Sequence, residues 1–381
     1  MALVDLIHFV KEMIKMTKLE QLIKELCSNG VEYRELHEFL VIKNGSDYKN
    51  WGKGDIPVYG SGGIMTYIDK FAYDKPSVLI PRKGSIDKLY YVDTPFWNVD
   101  TIFYTDIDTT KAIPKYVYHC LLREHLEQYN TAGGVPSLTQ KVLNKVKIPL
   151  PPIEIQNEVV RILDSFTELT AELTAELTAR KKQYEYYRNL LLDFNVHGGQ
   201  SKQTWKTLGE ITKVLRGKRL TKSQLSDEYD FPVYHGGLEP LGFYNESNRT
   251  AGTVMIINVG ASAGSVGYCN CDFWSSDGCF CLERCEMNSR FLYYYLSTQE
   301  SYLKSRVRYA GIPTLDNKVI ELMKVPVPPL EEQTRIVNIL DHFDKLCNDI
   351  SEGLPAEIEA RKKQYEYYRD RLLAFKEEHR S

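Results

Sequence analysis

Five cysteines stand close together in the second half of the chain: Cys269, Cys271, Cys279, Cys281 and Cys285. Two Cys-x-Cys pairs on a hairpin could offer four thiolates to zinc, although structural zinc sites favour wider spacing within each pair. The same alternation on a strand also suits two inward thiols with no metal. A second candidate is the loop NVGASAGSVG (258–267). It has the glycines of a phosphate cradle but lacks the Gly-Lys-Ser/Thr that grips phosphate and Mg²⁺. No Asn-Pro-Pro-Tyr string of an adenine methyltransferase, no P-loop and no His-Glu-x-x-His is present. The sequence also offers no readable Ser-His-Asp arrangement, so its residues point to binding rather than catalysis.

Composition narrows what could be bound. The chain has 381 residues, 43% hydrophobic and 26% charged, with a formal net charge of −3. Bulk charge therefore does not coat nucleic acid; a specific reader with a few placed cations remains open, and it would need a partner's help. No apolar run is long enough to span a membrane. The opening MALVDLIHFVKEMIKM reads as a short amphipathic helix rather than a signal peptide. A cytoplasmic protein with reduced thiols is the expectation.

The elements that must position any binding residues come in duplicate. RKKQYEYYR occurs at 180–188 and again at 361–369. KIPLPPIEIQNEVVRILDSF (147–166) matches KVPVPPLEEQTRIVNILDHF (324–343), and GVPSL (134–138) matches GIPTL (311–315). IPVYGSGG (56–63) matches FPVYHGG (231–237), SVLIPRKGS (77–85) matches TVMIINVGA (253–261), and FWNVD (96–100) matches FWSSD (273–277). The matching first-half positions carry none of the five clustered cysteines, so that unit folds without a metal there. Each half reads as a β-rich unit, with helices near 114–128 and 289–304, then a Pro-rich hinge and a long charged helix.

In the first long helix Ile155, Val159, Ile162, Phe166, Leu169 and Leu173 step by four and three, a coiled-coil seam. The seam shifts through Leu177 and resumes at Tyr184, Tyr187 and Leu191, as a stutter does. The second copy runs through Ile336, Ile339, Phe343, Leu346 and Ile350, and Gly353 with Pro355 should break it. A helix from 153 to 192 would be roughly 60 Å long at 1.5 Å per residue. It carries TAELTAELTA (170–179), a tandem tetrapeptide.

PPIEIQNEVVRILDSFTELTAELTAELTARKKQYEYYR, with its second copy, resembles the repeats of the specificity subunit of type I restriction–modification systems. The tandem TAEL unit points to the branch in which that tetrapeptide varies in number. The fold implied is α+β: two α/β target-recognition domains separated by two long antiparallel coiled-coil helices, with pseudo-twofold internal duplication. The boundaries are 1–30 for a helical leader, 31–148 and 201–325 for the recognition domains, and 149–200 and 326–381 for the spacers. The resemblance implies a non-catalytic subunit that reads a split, asymmetric site on double-stranded DNA. It implies docking of two modification (methyltransferase) subunits and of restriction/translocase subunits, with no membrane. S-adenosylmethionine, ATP and Mg²⁺ would be used by those partners and not bound here. A pseudo-symmetric protein–protein adaptor without DNA binding is the alternative; a zinc enzyme built on the cysteines is the third.

On that reading the DNA contacts fall in paired turns. Arg82 and Lys83 in the first unit, with Asn258 and Ser262 in the second, are candidates for groove or phosphate contacts. The turns Tyr59, Ser61, Gly62, Gly63 and Tyr234, His235, Gly236, Gly237 could present backbone donors and an aromatic ring, though either tyrosine could equally sit in the core. Lys218 and Arg219 are further candidates, with Lys43 just before the equivalent turn. The repeated string is where the resemblance places the modification-subunit contact: Arg180, Lys181, Lys182, Tyr184 and Tyr187, then Arg361, Lys362, Lys363, Tyr365 and Tyr368. Coiled-coil packing of its tyrosines is compatible with that role.

Overall fold

Runs of β-branched and aromatic residues between Gly, Pro and Asp turns become short strands, and the computed structural model places them in two matching sets. It describes residues 18–130, 133–194, 204–349 and 351–378; the leader's first 17 residues and Ile350 lie outside the described residues. The chain divides into two units, residues 1–173 with 358–381, and residues 174–357.

The first unit opens with helix α1 (18–26), whose Leu19 is buried. Strands follow as β1 (Tyr33–Glu35), β2 (Leu40–Asn44), β3 (Ile56–Gly60), β4 (Gly63–Ile68), β5 (Ser77–Pro81), β6 (Tyr90–Val92), β7 (Trp97–Asn98) and β8 (Ile102–Ile107). Helices α2 (Pro114–Arg123) and α3 (Gln140–Leu143) precede β9 (Lys147–Pro149). One sheet has the order β2-β8-β5-β6 and another β4-β3-β7, while β1 pairs with β9. The long helix α4 (Ile153–Leu192) then leaves this unit and enters the second.

The second unit repeats the plan with β10 (Thr204–Thr207), α5 (Leu208–Ile211), β11 (Lys213–Arg216), β12 (Phe231–Tyr234) and β13 (Gly242–Tyr244). Next come β14 (Thr253–Ile257), β15 (Val266–Cys269), β16 (Trp274–Ser275) and β17 (Cys279–Glu283). Helices α6 (Ser289–Thr298), α7 (Glu300–Ser305) and α8 (Asn317–Glu321) lead to β18 (Lys324–Val327). Its sheets, β11-β17-β14-β15 and β13-β12-β16 with the pair β10-β18, match the first set strand for strand. β5 and β14 are buried throughout, which is why, after a buried Ser77 or Thr253, each reads as an apolar run rather than an alternation.

Helices α9 (Leu330–Asn348) and α10 (Leu354–Leu372) follow. Pro152 and Pro329 directly precede α4 and α9, as residues that cannot continue a helix backwards. The break after α9 falls at the expected residues. Gly353 is wedged where a Cβ would stand 2.6 Å from the carbonyls of Lys345 and Asp349, and Pro355 sits in the first turn of α10. The helix expected over 114–128 is shorter than its sequence suggests. It stops at Arg123, His125 takes a left-handed φ of 46°, and 126–129 form a separate 3-10 turn.

The helical seam has two roles. Ile155, Val159, Ile162 and Phe166 are buried in the first unit's core beside Tyr116, Cys120 and the C-terminal Leu372 and Leu373. Ile336 does the same in the second, against Phe291 and Tyr295, but Leu340 rather than the expected Ile339 is buried beside it, and Ile339 is half-buried. Beyond those turns Leu169, Leu173 and Leu177 are only half-buried. Each seam therefore begins as domain core and continues as helix pairing. In the first unit Phe166 stacks on Tyr368 at 5.1 Å; in the second Phe343 stacks on Tyr187 at 5.7 Å. Among the described residues no helix is long and apolar enough to cross a membrane.

Candidate nucleic-acid interface

In both units three loops that are far apart in sequence meet at one edge. In the first, Arg82 and Lys83 follow β5 and lie beside the GVPSL loop. The amide of Leu138 donates to the Arg82 carbonyl at 2.9 Å, and that of Gly84 to the Pro136 carbonyl at 3.1 Å. The β3–β4 turn completes the group: a Cβ built on Gly84 would stand 3.6 Å from the Ser61 hydroxyl.

The second unit repeats the lacing. The amide of Leu315 donates to the Asn258 carbonyl at 2.8 Å, and that of Gly260 to the Pro313 carbonyl at 2.9 Å. The turn after β12 lies alongside, with a Cβ on Gly236 only 3.2 Å from the Val259 carbonyl. Gly84 and Gly260 have φ of +81° and +91°, the left-handed region that a side chain would strain. The loops are thus held by backbone bonds, which leaves their side chains available.

The named residues differ in how they stand. Lys83 is exposed, and the half-buried Arg82 lays its guanidinium over Phe103 at 5.6 Å. Gly62 is exposed, Gly63 and Gly237 are partly covered, and a Cβ on Gly62 or Gly237 would meet nothing within 4 Å. Ser61 is half-buried and its carbonyl accepts from the Tyr90 hydroxyl at 3.3 Å. His235 is exposed, with Nδ1 3.2 Å from the Ser276 hydroxyl and 3.3 Å from Asp277. Lys218 and Arg219 are exposed, and the Lys218 carbonyl accepts from the Trp274 indole at 2.7 Å. In the first unit Trp97 donates to the Ser46 carbonyl in the same way, so Ser46 rather than Lys43 occupies the place of Lys218.

Other candidates are already engaged within the protein or covered by it. Lys43 is paired with Asp106 at 2.7 Å, and that bond raises the lysine pKa. Asn258 is 3% exposed, so its side chain is no surface donor; only its backbone serves the loop. Ser262 is half-buried and its carbonyl accepts from the Ser265 amide at 3.0 Å. Tyr59 packs against Tyr90 and Phe96, and Tyr234 against Phe273, with ring centroids 5.6–6.3 Å apart. Burial raises the pKa of both phenols, which stay neutral.

What sequence reasoning missed is the tip of the third loop. Val135 is 68% exposed and Ile312 70%, each just before the proline of its repeat, with Tyr309 at 72% nearby. The signal was present in GVPSL and GIPTL: a β-branched residue kept in both copies at an exposed loop position. The five cysteines, by contrast, do not gather. Cys269 and Cys271 lie 3.6 Å apart, and among the described residues no three His, Cys, Asp or Glu side chains form a metal-holding group.

The repeated string is sorted by its helices. Tyr184 and Tyr365 turn into the cores of their own units, and the Tyr365 hydroxyl lies 2.8 Å from His119 Nδ1. Tyr187 and Tyr368 stack on phenylalanines, as already described. Arg180 reaches Gln183, Arg361 reaches Gln364, and Lys181, Lys182, Lys362 and Lys363 are exposed. Between each packed pair the third tyrosine of the string faces outward: Tyr186 is 64% exposed and Tyr367 59%.

Two tandem domains of one design, each presenting a laced loop edge and each followed by a long helix, define a duplicated recognition protein. Its sequence matches the family described as type I restriction modification DNA specificity domain twice, at residues 28–180 and 202–360. The chain belongs to the type I restriction–modification specificity subunits. A putative type I restriction enzyme specificity subunit of Haemophilus influenzae is 30% identical over 94% of this chain and 98% of its own length. The specificity subunit of an Escherichia coli type I restriction enzyme is 34% identical, covering 71% of this chain and 73% of its own. In fold, the chain is similar to the crystal structure of a type I S subunit from M. genitalium (TM-score 0.65, 21% identity, 90% of this chain and 96% of that one).

Proposed function

We propose that this chain reads a bipartite, asymmetric site on double-stranded DNA, one half-site per recognition domain, within a type I restriction–modification complex in the cytoplasm. The observation that carries the reading is the three-loop edge built twice with the same backbone lacing. Lys83 and Arg82, Lys218 and Arg219, and the open turns at Gly62 and Gly237 supply phosphate and groove donors. The exposed Val135 and Ile312 suit thymine methyl groups or a base step in the groove. An adaptor that binds only proteins is the weaker reading, because the relatives are DNA-specificity subunits.

The recognition domains are residues 31–148 and 201–325, and the spacers 149–200 and 326–381, of the branch whose TAEL units vary in number. The chain contributes no catalytic group. Two modification subunits would dock on the outward faces of the repeated string. Tyr186 with Lys182 on one helical face, and Tyr367 with Lys363 on the matching one, give the same exposed pair twice, with Lys181 and Lys362 exposed nearby, which suits two copies of one partner. S-adenosylmethionine serves those subunits; ATP and Mg²⁺ serve the restriction subunits.

The test is to sequence methylated adenines in cells that carry the complex with wild-type chain or with Arg82→Ala and Lys83→Ala. The wild type should give one bipartite motif, and the variant should lose base preference in one half only. Equal loss in both halves would count against one reader per half-site.

A further inference from the structure

Each recognition domain is tied to its helix by the same two polar side chains, and neither belongs to the loops above. Gln156, fully buried on α4, donates from Nε2 to the carbonyls of Pro151 at 2.8 Å and Lys111 at 3.0 Å. Its Oε1 accepts from the amide of Ile113, the residue that precedes α2, at 2.8 Å. Gln333 on α9 repeats this: it donates to the Pro328 carbonyl at 2.7 Å and accepts from the amide of Asn288, which precedes α6, at 2.8 Å.

About two turns further along each helix, an aspartate takes a cation from the start of the domain helix. Lys115 reaches Asp164 at 2.9 Å, and Arg290 reaches Asp341 at 2.7 Å and Asp344 at 3.0 Å. Both cations also face tyrosines. Lys115 lies 5.5 Å over Tyr91, and Arg290 lies 4.7 Å over Tyr268, its counterpart, and within 5.1 Å of Tyr293 and Tyr294.

Exposed ion pairs hold little. The cation of the second unit is better held: the Arg290 side chain is only 19% exposed and is fixed by carboxylates on one side and rings on the other, while Lys115 and Asp164 in the first unit are 34% and 24% exposed. The apolar cores already hold α2 and α6 against their long helices, but apolar contact is non-directional. Hydrogen bonds have preferred angles. What the glutamine and the aspartate–cation pair add is a defined angle between domain and helix.

We infer that Gln156 with Asp164–Lys115, and Gln333 with Asp341–Arg290, are positioning residues that set how each domain projects from its helix and so how strictly the gap between half-sites is read. This rests on the proposed DNA-reading function. The reconstituted complex would be given duplexes carrying both half-sites at the native gap, one base pair shorter and one base pair longer. For Arg290→Met the preference for the native gap should fall on the order of tenfold, with base preference in each half-site unchanged. Arg290→Lys, which supplies the first unit's cation, should keep the wild-type ratio.

If the wild-type complex methylates no bipartite duplex, the proposed function itself fails. If the wild type discriminates between gaps and a folded Arg290→Met discriminates as sharply, or loses all gaps equally, the positioning role is overturned. Should Arg290→Met not fold, Asp341→Asn decides on the same readout, because it keeps the side chain's shape and removes its charge.

Discussion

His119 is a buried titratable group whose surroundings set a pH limit on the first unit. It is 1% exposed, with Nδ1 on the Tyr365 hydroxyl and Nε2 3.9 Å from Asp164. Burial lowers its pKa below the ordinary 6.5, helped by Lys115 and Arg369, and Asp164 only partly opposes this. The folded state thus resists the proton while the unfolded chain accepts it. Stability from this group is complete above pH about 6.5 and is lost as pH falls below it, by at most about 1.4 kcal/mol per pH unit. Asp164 works in a lower window. Burial pushes its pKa up, but the hydrogen bond from Lys115 and the nearby His119 outweigh that, so its contribution disappears only below the ordinary 3.8. The melting temperature of the first unit should therefore fall as pH drops below about 6.5. His119→Tyr, which copies Tyr294 at the matching place, should flatten that slope; identical profiles would refute the assignment.

At the scale of one element, α4 is a single helix across the TAEL tandem, and two of its threonine hydroxyls bond back to the helix. Thr170 donates to the Phe166 carbonyl at 2.8 Å and Thr178 to the Thr174 carbonyl at 2.9 Å. The boundary between the two units falls here, after Leu173, where the seam leucines are only half-buried. With the seam leucines only half-buried here, a change of length removes little apolar burial. Deleting residues 170–173 shortens the helix by roughly 6 Å and turns it by about 40°. A methylome of cells carrying the deletion should show both half-sites unaltered and a changed gap. Altered half-sites at the old gap would contradict the helix's role as spacer.

At the scale of the molecule, the chain's last segment belongs with its first. Residues 358–381 fall in the unit that begins the chain: Leu372 and Leu373 are in its core, the Val31 amide donates to the Lys376 carbonyl, and the Tyr33 hydroxyl to that of Phe375. Truncation after Glu357 removes two buried leucines worth roughly 1.5–3 kcal/mol each. That is a large share of the 5–15 kcal/mol typical of a folded domain. Hydrogen exchange should accelerate in 31–148 and stay unchanged in 204–325. Faster exchange confined to the second unit would show that the segment had been placed in the wrong unit.

Sequence alone determined what depends on local chemistry and on repetition. The duplication, the start of each long helix at its prolines, the break at Gly353 and Pro355, and the paired turns were all legible, because a proline, a glycine or a period acts within a few residues. The helix end at Arg123 was not, since no breaker marks it and His125 takes its left-handed φ in the folded chain. Which side chains face solvent was decided by tertiary structure. Asn258 and Tyr184 carry the same groups whether buried or exposed, and only packing against segments far away in the chain turned them inward, paired Lys43 with Asp106, and left Tyr186, Tyr367, Val135 and Ile312 outside. Burial is a property of contacts between distant segments, and a one-dimensional pattern records only that some residue on a face must be covered.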